Sequence, residues 1–91
     1  MKDNVIYVGD RPFMNYVTGV VMQFTAKEAE DVIVKARGKY VGRAVDVAEV
    51  STKKFLDGII EVGSVDIDSE RFETDEEKEI RVSTIEITLK K

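Results

Sequence analysis

The 91-residue sequence predicts an α/β (α+β) two-layer sandwich of order βαβαββ, in which two helices cover a four-stranded mixed sheet with a long projecting β-hairpin. Three observations lead there. Short β-rich runs alternate with helix-length apolar stretches through the first two thirds of the chain. Two runs of alternating apolar residues then flank a charged segment, Asp68–Glu79, as hairpin strands flank a tip. No linker, repeat or low-complexity segment interrupts the order, so residues 1–91 are expected to form a single domain.

Asn4-Val5-Ile6-Tyr7-Val8 is the first strand, closed by Gly9. Asp10-Arg11-Pro12 starts a helix, with proline near its first position and an acid beside the positive helix end. Phe13 to Phe24 is apolar around most of its circumference, with Phe13, Val17, Val20 and Phe24 on one stripe, so it is expected to be covered on more than one side. Thr25–Asp31 connects to a second strand, Val32–Arg37. A connector of this length favours a right-handed crossover and a parallel pair.

Tyr40 to Phe55 reads as the second helix. Its first stripe is Val41, Ala44, Val45, Ala48 and Phe55. Val47 and Val50 form a second stripe between Arg43 and Lys54, read as a dimer face, with a wide core-facing stripe as the alternative. Asp57-Gly58 ends the helix. Ile60 and Val62 alternate, and Val65 and Ile67 continue in the opposite phase, a slip that predicts a β-bulge at Gly63-Ser64. Ile80 and Val82 against Ile85, Ile87 and Leu89 predict a similar slip in the last strand.

The composition excludes several functions. With no cysteine and no histidine, the chain has no disulfide framework, no thiolate metal site and no imidazole base. Neither a phosphate-cradling glycine loop nor a serine beside a base occurs, so no enzyme activity and no cofactor are expected. Asp66, Asp68 and Glu70 alternate on one strand face, but a hard cation needs oxygens converging from several directions, and no metal site is expected. The start lacks the apolar run of a signal peptide and no stretch reaches membrane-spanning length, so a cytoplasmic protein without membrane contact is the expectation.

Charge is unevenly placed in this acidic chain of 18 Asp+Glu and 14 Lys+Arg. Residues 1–56 hold nine Lys/Arg and seven Asp/Glu, whereas residues 57–91 hold five and eleven. Within the first part, no acid falls between Val32 and Val45. Lys35 and Arg37 share a face of the second strand, Gly38 allows a turn, and Lys39 with Arg43 extends the positive patch. An acid-free basic surface on an acidic protein points to anion binding.

At Val8-Gly9-Asp10-Arg11-Pro12-Phe13-Met14-Asn15-Tyr16-Val17, Val34-Lys35-Ala36-Arg37-Gly38-Lys39, Arg43-Ala44-Val45-Asp46 and Arg81-Val82-Ser83-Thr84-Ile85-Glu86-Ile87, the chain resembles the Alba family of small archaeal chromatin and RNA-binding proteins. The resemblance implies a homodimer that binds double-stranded DNA, and RNA, and condenses or organises the chromosome with which it associates. It assigns Arg11 to a loop site before the first helix, Lys35, Arg37 and Lys39 to a central basic site, and Arg43 to a peripheral phosphate contact. Asn15 is expected either to bind phosphate or to make a local polar contact. Phe55 matches an exposed aromatic that joins dimers into higher assemblies, its alternative being a core position.

Two departures qualify these expectations. Asp10-Arg11 stands where many relatives have two lysines, which removes one positive charge and an acetylatable side chain. The hairpin tip carries seven acids against Arg71 and Lys78, a poor surface for phosphate. Each neutralised phosphate contributes roughly −0.9 to the slope of log affinity against log salt, so weaker, less salt-dependent duplex binding is expected than for a strongly basic relative. The alternatives are RNA as the main target, or a protein-interaction module that uses the acidic hairpin.

Overall fold

The computed structural model describes residues 4–91. The reading of the chain's start therefore falls partly outside the described residues, at positions 1–3. The elements are β1 (Val5–Tyr7), α1 (Phe13–Thr25), β2 (Asp31–Arg37), α2 (Val41–Val50), β3 (Glu61–Glu73) and β4 (Glu79–Lys90). A 3-10 turn, Gly38–Tyr40, precedes α2, and a π-helical turn, Ser51–Phe55, follows it. The expected order of two helices on a four-stranded sheet holds.

The sheet runs β1-β2-β4-β3. β1 and β2 are parallel, as their connector length requires, while β4 pairs antiparallel with both β2 and β3. β2 contacts β4 only as far as Arg37 opposite Thr84. Beyond that point β3 and β4 continue as a two-stranded ribbon to the turn at Thr74–Lys78, and the molecule measures 49 × 24 × 22 Å.

Alternation fixes which side of the sheet each residue takes. Val32, Val34 and Ala36 of β2 and Ile85, Ile87 and Leu89 of β4 are buried under the helices. They meet Val17, Val20 and Phe24 from α1 and Ala44, Val47 and Ala48 from α2. The helix-free side carries Tyr7, Lys35, Arg37, Thr84 and Glu86. The predicted bulge lies at Gly63: Val62 pairs with Leu89, but Ser64 pairs with Thr88. A Cβ at position 63 would lie 3.0 Å from the Lys90 side chain, a close approach that a shift of that exposed, flexible chain relieves.

No second slip occurs. From Glu79 to Lys90 the β4 ladder has no irregularity of its own. The phase change between Val82 and Ile85 marks where β4 leaves the body of the sheet, so that its apolar residues no longer all face the helices.

α2 also packs differently from the expected stripes. Val47 is fully buried inside the chain's own core, so the wide core-facing stripe describes it and the dimer-face reading is corrected. Val50 is partly buried and packs on the same core. Conversely, Val45 and Phe55 of the expected core stripe are exposed. Part of the reason is the π-helical turn, in which the Leu56 amide donates to the Ser51 carbonyl at 3.0 Å. That turn inserts an extra residue into the helical phase, so Leu56 points inward and Phe55 outward.

Candidate nucleic-acid interface

The loop between β1 and α1 is built around one hydroxyl. Tyr16 lies on the first turn of α1 with its ring buried. A buried tyrosine needs partners for its oxygen, and here that oxygen accepts hydrogen bonds from the Gly9 and Arg11 amides, both at 3.0 Å. Arg43, on the first turn of α2, donates to the Gly9 carbonyl, and its guanidinium lies 5.6 Å from the centre of the Tyr16 ring. These contacts hold the backbone while leaving the Arg11 side chain in solvent. Arg43, expected to touch phosphate, is instead turned inward as a clamp on the loop.

The central basic residues follow from the end of β2. Lys35 pairs with Tyr7 on one side and Glu86 on the other, and Glu86 pairs in turn with Asp66. This row crosses all four strands on the helix-free face. The Lys35 ammonium lies 2.7 Å from the Glu86 carboxylate and 5.8 Å from the centre of the Tyr7 ring. The hydrogen bond that Lys35 donates to Glu86 raises the Lys35 pKa above the ordinary lysine value; partial desolvation opposes this, and the Glu86 charge adds to it.

Arg37 is two residues further on the same face. Its guanidinium reaches Glu70 at 3.1 Å and lies 5.3 Å from the centre of the Phe72 ring. Gly38 then adopts φ +59°, which only glycine enters without strain. This turns the chain into the 3-10 segment and sets Lys39 at the edge of the patch, beside the Tyr40 ring at 5.3 Å. Lys39 and Arg11 form no ion pair among the described residues.

The structure thus brings Lys35, Arg37 and Lys39 together at one end of β2 and mixes them with acids. Asp66, Asp68, Glu70 and Glu86 border the same groove as Lys35 and Arg37. Asn15 is exposed on the first turn of α1. Phe55, Lys53 and Lys54 are exposed on the π-helical turn, at the opposite end of α2 from the 3-10 segment. Reading the sequence alone missed Tyr16, although a tyrosine beside a glycine-bearing loop was a signal, and it missed the pairing acids because cross-strand neighbours are distant in the chain. No helix among the described residues is long and apolar enough to cross a membrane.

A two-layer α+β domain with two helices on a four-stranded mixed sheet is the fold of Alba-type proteins. The Alba family model matches residues 4–69, and the chain belongs to that family. It is 45% identical to the DNA/RNA-binding protein Alba of Methanococcus maripaludis over 96% of this chain and 97% of that one. It is 48% identical to the DNA/RNA-binding protein Alba of Nanoarchaeum equitans over 94% of this chain and 96% of that one. Among solved structures, Alba from Thermoplasma volcanium superposes with a TM-score of 0.85 at 42% identity, covering 97% of this chain and all of that one. The family is a non-enzymatic one.

Proposed function

We propose that this protein is a homodimer that binds double-stranded DNA, and RNA, through paired basic patches, and that it associates with the chromosome. The observation that carries the reading is the convergence of Lys35, Arg37 and Lys39 at the end of β2, next to the clamped loop that presents Arg11. The relatives named above, called DNA/RNA-binding proteins and matched over nearly their whole length, support it. Phosphate neutralisation supplies most of the affinity and groove shape a modest selectivity. The whole chain acts as one unit in this reading, with Arg11, Lys35, Arg37 and Lys39 in contact with phosphate and Asn15 at the margin.

The dimer has its own support. Val45 of α2 and Val62, Val65 and Ile67 of β3 are exposed, Ile67 at 79%, and all lie on the helix-covered side of the sheet. Val45, Val62 and Val65 line a cleft between α2 and β3, together with Ile85 and Ile87, and among the described residues nothing covers it. A contiguous apolar patch of this kind marks an interface, and a two-fold contact between copies covers it on both at once. Phe55, exposed at the far end of α2, is the candidate for contacts between dimers.

Fluorescence anisotropy with duplex DNA and with RNA across a salt series tests the reading. Binding is expected to weaken with salt, and the double variant Arg37→Glu/Lys39→Glu is expected to abolish it. Duplex affinity that survives this double reversal would remove the patch from the interface. Absence of salt-sensitive binding to either polymer would favour a protein-interaction module built on the acidic hairpin.

A further inference from the structure

The two strongest cations of the patch are already occupied. Arg37 is held by Glu70 at 3.1 Å and Lys35 by Glu86 at 2.7 Å. Glu70 comes from β3 at the start of the arm, and Glu86 from the part of β4 that pairs with β2. Cross-strand pairing puts them on the same helix-free face as the cations, since Lys35 faces Glu86 and Glu70 faces Val82, two positions from Arg37's partner Thr84. Phe72, whose ring lies beside Arg37, is also a β3 residue, so everything that holds this guanidinium belongs to the arm.

A carboxylate and a phosphate present oxygens to a guanidinium or ammonium in the same way. They therefore compete for the same N–H groups. All four side chains remain partly solvated, between 31% and 55% exposed, so solvent screening leaves the pairs exchangeable. Arg11 and Lys39, which make no ion pair among the described residues, are open to a first contact.

We propose that Glu70 and Glu86 are specificity-determining residues of this interface, intramolecular competitors that occupy Arg37 and Lys35 until a polyphosphate chain displaces them. An isolated phosphate gains one contact for each ion pair it breaks. A nucleic acid first engages Arg11 and Lys39, and its neighbouring phosphates then meet Lys35 and Arg37 at high local concentration. The displaced carboxylates stay close to the bound strand, beside Asp66 and Asp68, which lowers affinity and takes back part of the counterion release. The acidic arm is thereby a threshold on the basic site as well as an unfavourable surface of its own. This inference rests on the nucleic-acid reading above.

The test compares Glu70→Gln and Glu86→Gln, singly and combined, with Glu30→Gln, by anisotropy on a short duplex DNA. Glu30 is exposed just before the opposite end of β2, so its substitution removes the same charge away from the patch. Each of E70Q and E86Q is expected to bind about threefold more tightly than E30Q at equal salt, the scale of one exposed pair, and the combined variant more tightly still. The salt slope should steepen by up to about 0.9 for each cation released. Glu30 and Glu70 are exposed and Glu86 is half-buried, and far-UV circular dichroism checks that the variants are folded. If E70Q and E86Q bind no better than E30Q while Arg37→Glu/Lys39→Glu still abolishes binding, the competitor role is overturned and the nucleic-acid reading stands. If neither the wild type nor the combined variant binds, both fall; if only the combined variant binds, the competitor role is upheld in its strongest form.

Discussion

Arg43 donates a hydrogen bond to the backbone carbonyl of Gly9, joining the first turn of α2 to the loop that opens α1. The same guanidinium covers the Tyr16 ring, whose oxygen gathers the amides of Gly9 and Arg11. A cation that the sequence offers as a ligand contact is therefore a brace, and the shape of the loop that presents Arg11 depends on it.

Tyr16→Phe keeps the ring and removes the acceptor for two amides. Leaving buried or part-buried donors without a partner costs about 1–3 kcal/mol, so urea unfolding should show a loss of that size. Hydrogen exchange at the Gly9 and Arg11 amides should quicken by more than the global destabilisation alone produces. Duplex affinity should fall modestly in the same variant, because Arg11 is then presented from a looser loop. Unchanged exchange at these two amides would show that the hydroxyl does not organise the loop.

The uncovered face of β3 separates stability from assembly. Ile67→Asp places a charge on a side chain that is 79% exposed in the single chain, so it should leave the fold intact but block a two-fold contact across this face. Light scattering coupled to size exclusion should then report a monomer with a native far-UV spectrum. Val47→Ala should do the reverse, because Val47 is buried in the chain's own core. Removing its methyl groups should cost about 1.5–3 kcal/mol with the oligomeric state unchanged at low denaturant. A dimeric Ile67→Asp protein would exclude this face as the interface.

Lys35 and Glu86 carry a pH signature. The Lys35 pKa is raised in the folded protein, first by its hydrogen bond to Glu86. A group whose folded pKa is raised contributes stability that is fully present below its unfolded pKa, about 10.4 for lysine, and is lost as pH rises through the folded pKa. The contribution is thus complete at neutral pH and disappears only in the alkaline range above the ordinary lysine value. NMR titration of the Lys35 side chain should give a pKa above the ordinary lysine value, and Glu86→Gln should lower it. An unchanged Lys35 titration in Glu86→Gln would dissociate the shift from this pair.

Much of the fold was legible in the chain because its signals are local. The β-branched run before Gly9, the length of the α1 segment and the alternation on either side of the acidic turn each limit the backbone to one kind of element. The bulge at Gly63 could also be read from a one-residue slip in alternation, although the same signal in β4 marked only the point where that strand leaves the body of the sheet. The second helix was harder. Val45, Val47 and Val50 are chemically equivalent, and a sequence does not say which of them a sheet lies against or that the helix will widen into a π turn after Val50.

What the sequence by itself determined is the order and type of the elements, the end of β2 at which Lys35, Arg37 and Lys39 gather, and the excess of acid that follows them. Those features depend on neighbours within a few positions, where periodicity and charge can be read directly. Only the tertiary structure decided that Glu70 and Glu86 take hold of Arg37 and Lys35, that Arg43 turns inward to Gly9, and that Val47 is core while Ile67 is surface. These outcomes depend on contacts between residues dozens of positions apart, which strand register and helix rotation set and local pattern does not carry.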